Sequence, residues 1–320
     1  MEYTGVRRKT VVSLLIIVAA IVAVAFFFNL LTGGKFLTGP NINAMCTSAV
    51  ITSFFAWGYC FVFALGFMDL SIGAAGLLAL YASGELGNLI GVPGVVIGGV
   101  LAGIILMTIN FNIFAWTRIP SWIAGIGMCL LYEAIISWYA EYMQSQNMYV
   151  VLLKTEYRTL ARYPYIYIVF AIGLAFAYLI YNRSTLGLNV RAIGSNPDVT
   201  KIMGVKIPNT VILTGVVCGI LVGCAGFLRE SHAGRMYPLT GLQSLSFIFQ
   251  PLAAVLLAQV LEKWINIIVA VPLCALFVYI CFNVLSSLGV PSGTFQEAVL
   301  GLCIVVFGVI AQRSTRGVVK

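Results

Sequence analysis

The sequence predicts an all-α, polytopic integral membrane protein with about ten transmembrane helices and both termini in the cytoplasm. Three observations lead there. Hydrophobic types supply 61% of the 320 residues and charged types only 9%, against roughly 45–50% and about 25% in soluble domains. Apolar runs of the roughly 20 residues needed to cross hydrocarbon as a helix recur along the whole chain. The scarce Lys and Arg fall between those runs, where the positive-inside rule gives them a meaning. The net charge of +8 is not gathered on a soluble or amphipathic segment, so it does not indicate a nucleic-acid interface.

The first span, 11–31, follows Arg7, Arg8 and Lys9. Its apolar run exceeds the roughly 7–15 residues of a signal-peptide core, so it reads as a retained anchor. The second covers 43–66. The third, 71–90, begins just after Asp69-Leu70-Ser71, where Asp69 and Ser71 suit a helix start. The fourth, 94–116, carries the glycine steps Gly94/Gly98 and Gly99/Gly103. The fifth, 121–140, carries Glu133, the deepest carboxylate of the chain. An ionisable group inside a span is costly and marks a functional candidate, although a hydrogen bond to a neighbouring helix also explains it.

An outer segment, 141–163, comes next and mixes charges with tyrosines. An interfacial aromatic belt or a landing surface for an external protein would both account for it. The sixth span is 164–181. The seventh, 209–229, places Gly215, Gly219 and Gly223 at a spacing of four, a smooth face for close helix packing. The eighth, ninth and tenth are 244–260, 264–285 and 295–312, the last opening near Glu297. With ten spans, 12 of the 18 Lys and Arg face the cytoplasm, which favours both termini on that side. The whole chain, 1–320, then forms one transmembrane domain.

Asn110, Asn112, Gln250 and Asn283 are uncharged polar groups within spans. They join Glu133 as candidates to line a solute path, and each could equally bridge helices. The eight cysteines form no CxxC pair and His232 is the lone histidine, so no metal site is expected. No GxxxxGK[ST] loop is present, so the chain is not expected to bind ATP or act as an enzyme.

The cytoplasmic segment 182–208 is the most informative. Asn196 suits an N-cap, Pro197 the first helical position and Asp198 the first turn. Gly204 can terminate the helix. A short helix over 197–203, capped at both ends, is expected on the inner face, too short to be stable without a docking surface.

That segment resembles the coupling loop of the permease subunits of ribose-type ABC importers, a family that includes permeases for monosaccharides, nucleosides and branched-chain amino acids. Gly187, Arg191, Ala192, Gly194, Asn196, Gly204 and Val205 fall on its Thr-x-x-Gly…Arg-Ala-x-Gly-x-Asn…Gly-[Ile/Val] pattern. Asp69-Leu70-Ser71-Ile72-Gly73, Arg118-Ile119-Pro120-Ser121-Trp122 and Leu288-Gly289-Val290-Pro291 resemble further stretches of it in the same order. The segment Leu252–Trp264 departs from it, lacking the expected paired glycines.

The resemblance implies a permease importing a small polar solute, foremost a monosaccharide. Separate ATPase subunits would carry the ATP and Mg and dock on Arg191, Gly194, Asn196, Pro197, Asp198, Lys201 and Gly204. A second permease subunit, identical or homologous, and an external solute-binding protein complete the implied assembly in the cell membrane. The alternatives are an ion-coupled secondary transporter with inverted repeats and an ABC permease for nucleosides or amino acids.

Overall fold

The computed structural model describes residues 36–117, 119–145, 153–234, 238–287 and 294–315, with parts of 15–34. Arg7, Arg8, Lys9, Arg118 and Leu288–Pro291 lie outside the described residues. Among the described residues the chain is helical and no strand occurs. The helices are α1 (Gly39–Ala64), α2 (Ile72–Ile90), α3 (Val92–Trp116), α4 (Ser121–Ser145), α5 (Tyr165–Arg183), α6 (Thr185–Ser195), α7 (Pro197–Ile202), α8 (Ile207–Ala233), α9 (Ser246–Leu261), α10 (Ile267–Ser287) and α11 (Thr294–Thr315).

Seven stretches among the described residues are long and apolar enough to cross a membrane: α1, α3, α4, α5, α8, Gln243–Leu261 and α10. Ile72–Ile90 is not one of them; its C-terminal half carries Ser83, Glu85 and Asn88. The apolar stretch Ala298–Ile310 is shorter. The protein is therefore polytopic and helical; among the described residues seven of the ten expected spans qualify, and much of the first, 11–31, lies outside those residues.

Residues 57–248 form one compact unit and residues 1–56 with 249–320 another, so each boundary falls inside a helix. In the larger unit α3 is the central helix and packs chiefly on α8 and α2. Glycines make this possible. A Cβ on Gly219 would lie 2.5 Å from Ile104 Cα, and one on Gly223 would lie 2.5 Å from the Gly99 carbonyl oxygen. On the facing helix, a Cβ on Gly103 would fall 2.3 Å from the Gly219 carbonyl oxygen. Gly215 meets the Phe111 ring system in the same way, at 2.6 Å from its Cβ. The opposite side of α3 presses Gly94 and Gly98 onto the Leu86 and Ala82 carbonyls of α2. Small residues thus let backbones meet where lipid offers no hydrophobic drive to pair helices.

The smaller unit is held by apolar clusters and by amides. Phe36, Met45, Ile280 and Val284 form one cluster, and Ala253, Val278 and Leu300 another. Asn41 and Asn283 exchange side-chain hydrogen bonds of 2.9 and 2.7 Å. Tyr279 donates to Gln250 at 2.6 Å and accepts from Thr52 at 3.0 Å.

Two boundaries are corrected. The outer segment expected over 141–163 starts later, because α4 runs on to Ser145. The segment 182–208 is not a loop with one helix but two consecutive helices, α6 and α7. Gly187 and Gly194 serve close backbone packing within and beside α6.

Candidate functional site

The coupling segment is built by caps. After α5, Ser184 turns extended and its hydroxyl accepts the Gly187 N–H at 3.1 Å, which starts α6. Gly187 sits so close to the end of α5 that a Cβ would fall 2.2 Å from the Tyr181 carbonyl oxygen. Arg191 donates to that same carbonyl and places its guanidinium 5.0 Å over the Tyr181 ring. Arg191 therefore braces α6 on α5 rather than pointing outward.

Asn196 then separates the two helices. Its backbone is extended (φ −159°), and its side chain accepts the Val199 N–H at 3.1 Å. Pro197 opens α7, Asp198 occupies the first turn and Lys201 the last, both complementing the helix dipole. The helix ends at Ile202, one residue earlier than expected. Gly204 lies at φ 86° and donates to the Lys201 carbonyl at 3.0 Å, while Val205 donates to Thr200 at 3.3 Å. That pair of bonds is a Schellman stop, which needs a left-handed residue at the Gly204 position.

The helix so framed turns Thr200 inward and displays Asp198, Val199, Lys201, Ile202 and Met203. Ile202 and Met203 are 86% and 76% exposed. Both are large apolar side chains, on the last residue and the C-cap of a six-residue helix.

The path candidates divide into two places. Asn110 and Glu133 lie in the larger unit, Gln250 and Asn283 in the smaller one. Asn110 is fully buried and donates to Ser71 Oγ and, at 3.4 Å, to Asp69 Oδ2; Tyr132 donates to its carbonyl at 2.7 Å. Asp69, expected to start the third span, is itself fully buried, with Oδ1 accepting from Ser71 N–H at 2.8 Å. Ser71, at the N-cap, makes no side-chain cap hydrogen bond. Asp69, Ser71, Asn110 and Tyr132 thus tie the α1–α2 connection to α3 and α4.

Glu133 is 2% exposed, and its two carboxylate oxygens accept the Leu242 and Ser244 N–H groups, each at 2.8 Å. Both of its oxygens are thus paired with backbone donors, as burial of a polar group requires. Asn112 donates to Thr108 of its own helix at 2.8 Å. Gln250 and Asn283 are engaged in the amide and phenol bonds of the smaller unit. Gly215, Gly219 and Gly223 form the α3–α8 contact. The Glu297 side chain lies outside the described residues.

Sequence reading missed two features. Glu230, just past the expected end of the seventh span, is fully buried, with the Leu153 backbone N–H and the Arg158 charge as its nearest partners among the described residues. Beyond it, Arg158 donates to the His232 carbonyl at 2.7 Å and Ala161 N–H to Ser231 Oγ at 3.1 Å, strapping the segment before α5 to the end of α8. The second is the irregular stretch before α9, where Pro238 and Gly241 were the available signals.

A family model described as the permease component of branched-chain amino acid transport systems matches residues 41–308. The chain belongs to this family. Its members are permease components, transport subunits rather than enzymes, and the protein is a multi-pass inner-membrane ABC permease.

The permease is 25% identical over 222 residues to the D-allose transport system permease protein of Escherichia coli, covering 68% of each chain. It is 23% identical to the fructose import permease protein of Rhizobium meliloti, over 67% of this chain and 62% of that one. It is 26% identical to the L-arabinose ABC transporter permease protein of Azospirillum brasilense, over 66% and 63%. The chain thus matches about two thirds of the length of these relatives. No solved structure matches it.

Proposed function

We propose that this permease imports a monosaccharide, driven by separate ATPase subunits that dock on α7. The observation that supports this reading is the helix Pro197–Ile202, stopped at both ends by Asn196 and Gly204, with Ile202 and Met203 displayed. A helix fixed at both caps moves as a body, so a push on its exposed side chains reaches α6 and α8 instead of being lost in fraying. The named solutes of the relatives, D-allose, fructose and L-arabinose, support the sugar class.

In this reading ten spans place both termini and α7 in the cytoplasm, and residues 1–320 act as one transmembrane domain. Arg191, Gly194, Asn196, Pro197, Asp198, Lys201 and Gly204 shape the ATPase contact. Asp198 and Lys201 supply charge at its rim, and Arg191 and Gly194 hold the helix from behind. ATP and Mg reside on the ATPase; a second permease subunit encloses the path, and an external binding protein delivers the sugar. Glu133, Asn110, Asn112, Gln250 and Asn283 order the helices that border that path.

Affinity capture tests the docking. The tagged chain, produced with its ATPase, should retain that subunit through detergent extraction. Ile202→Asp with Met203→Asp should release it while the permease stays membrane-inserted. Retention of the ATPase by the double variant would overturn the assignment.

A further inference from the structure

Residues 238–245, just before α9, pack against the larger unit with little regular structure. Among residues 238–245 only Gln243–Leu245 form a single 3₁₀ turn. Gly241 and Leu242 are both left-handed, at φ 68° and 69°. A left-handed leucine is uncommon and persists only where its surroundings fix it. Here Glu133 does so through the Leu242 and Ser244 amides, and Cys129 Sγ lies 3.1 Å from Ser244 Oγ.

Glu133 is the midpoint of the 25-residue helix Ser121–Ser145, and Cys129 is one turn before it. The irregular stretch therefore passes at the mid-depth of a membrane span. One side of it is packed in protein. Leu239 joins the cluster of Leu77, Leu80, Tyr81 and Ile136, and a Cβ on Gly73 would lie 2.5 Å from the Ser244 carbonyl oxygen. The other side carries Thr240, Gly241, Gln243 and Ser246, all exposed.

Irregular backbone at membrane depth is tolerated inside protein or against a water-filled cavity, never against lipid. The exposed side is polar, which suits contact with water and not with lipid. It displays hydroxyl, amide and carbonyl groups and no ionisable side chain, a set that exchanges hydrogen bonds with a neutral, hydroxyl-rich solute. Ser246 donates to the Gln243 carbonyl at 2.8 Å, which fixes their relative position and leaves the serine oxygen able to accept.

We propose that Thr240, Gln243 and Ser246 line the aqueous solute path at the middle of the membrane and contact a neutral polyhydroxylated solute as it passes. This rests on the permease reading and names a stretch that does the contacting. Glu133, buried behind it, holds the stretch in place and does not meet the solute.

Water access and solute contact are read separately. Thr240→Cys and Gln243→Cys are made singly in the full-length chain, in membrane vesicles from cells producing the whole transporter. A membrane-impermeant cationic methanethiosulfonate is applied from each side, and peptide mass spectrometry reads each thiol apart from the eight native cysteines. Leu131→Cys, at a 58% exposed apolar position of the same helix as Glu133, is the lipid-facing control.

The reagent needs a thiolate, which forms in water and not in hydrocarbon. Both path variants should react about tenfold or more faster than the control. A mixture of D-allose, D-fructose and L-arabinose should slow modification of Gln243→Cys. Labelling no faster than Leu131→Cys would overturn the path; labelling that the sugars leave unchanged would overturn the contact. Neither result depends on ATP, so failure of ATP-driven uptake would count against the permease reading alone.

Discussion

Gly194 lies directly on the Ala64 carbonyl: a Cβ at this glycine would fall 2.0 Å from that oxygen. The contact joins the end of α6 to the end of α1, and the chain continues from Ala64 through Gly66 to Asp69. Asp69 in turn holds Ser71 and Asn110. On the proposed coupling role, a displacement of α6 and α7 would reach the buried polar cluster through this backbone contact. Gly194→Ala forces the two backbones apart and should cost about 1–3 kcal/mol. Membrane insertion should persist while uptake falls, measured side by side by surface labelling and transport.

Loss of the α7 cap has a different signature. Asn196→Ala removes the acceptor of the Val199 N–H and should destabilise the local helix by about 1 kcal/mol. ATP hydrolysed per solute imported should rise, because the helix then frays under load. Asn196→Ser, which restores an acceptor, should return the ratio to normal. An unchanged ratio in the alanine variant would mean that the cap plays no part in coupling.

Glu133→Ala strands two backbone donors in the protein interior. Each unsatisfied amide is expensive, so the loss should be about 3 kcal/mol in total. The midpoint of thermal unfolding in detergent should drop clearly. Glu133→Gln keeps one acceptor oxygen and should lie between that variant and the wild type.

The α3–α8 seam makes a steric prediction with a built-in control. Gly219→Val places branched carbon against Ile104 and Gly103 backbone and should abolish stable insertion. Gly127, on exposed α4 surface with nothing within 4 Å of a built Cβ, should accept alanine with no loss or a gain of up to about 1 kcal/mol. Yield in the membrane fraction distinguishes them.

Much of this was legible in the sequence because membranes impose length and polarity rules on each helix separately. The α7 caps were legible for a related reason: Asn196, Pro197, Asp198 and Gly204 act within one turn of where they stand. Their effect does not depend on tertiary context. Helix α6 was hidden because glycine is a poor helix former, whereas Gly187 and Gly194 are placed for close approach to carbonyls elsewhere in the chain. The hydrogen bonding of Glu133 was hidden for a similar reason. Its partners, Leu242 and Ser244, are more than a hundred residues away and offer only backbone, which no side-chain pattern announces. The exposed polar side of 238–246 escaped because its meaning depends on depth, and depth comes only from its contact with the middle of α4.

Uptake into proteoliposomes tests the central claim most directly. The chain is reconstituted with its ATPase and solute-binding protein, and labelled D-allose, fructose and L-arabinose are supplied with and without ATP and with ionophores that collapse ion gradients. The account predicts accumulation of one or more of these sugars that requires ATP and the ATPase and persists after the gradients are collapsed. Accumulation that proceeds without the ATPase and stops when the gradients collapse would contradict it.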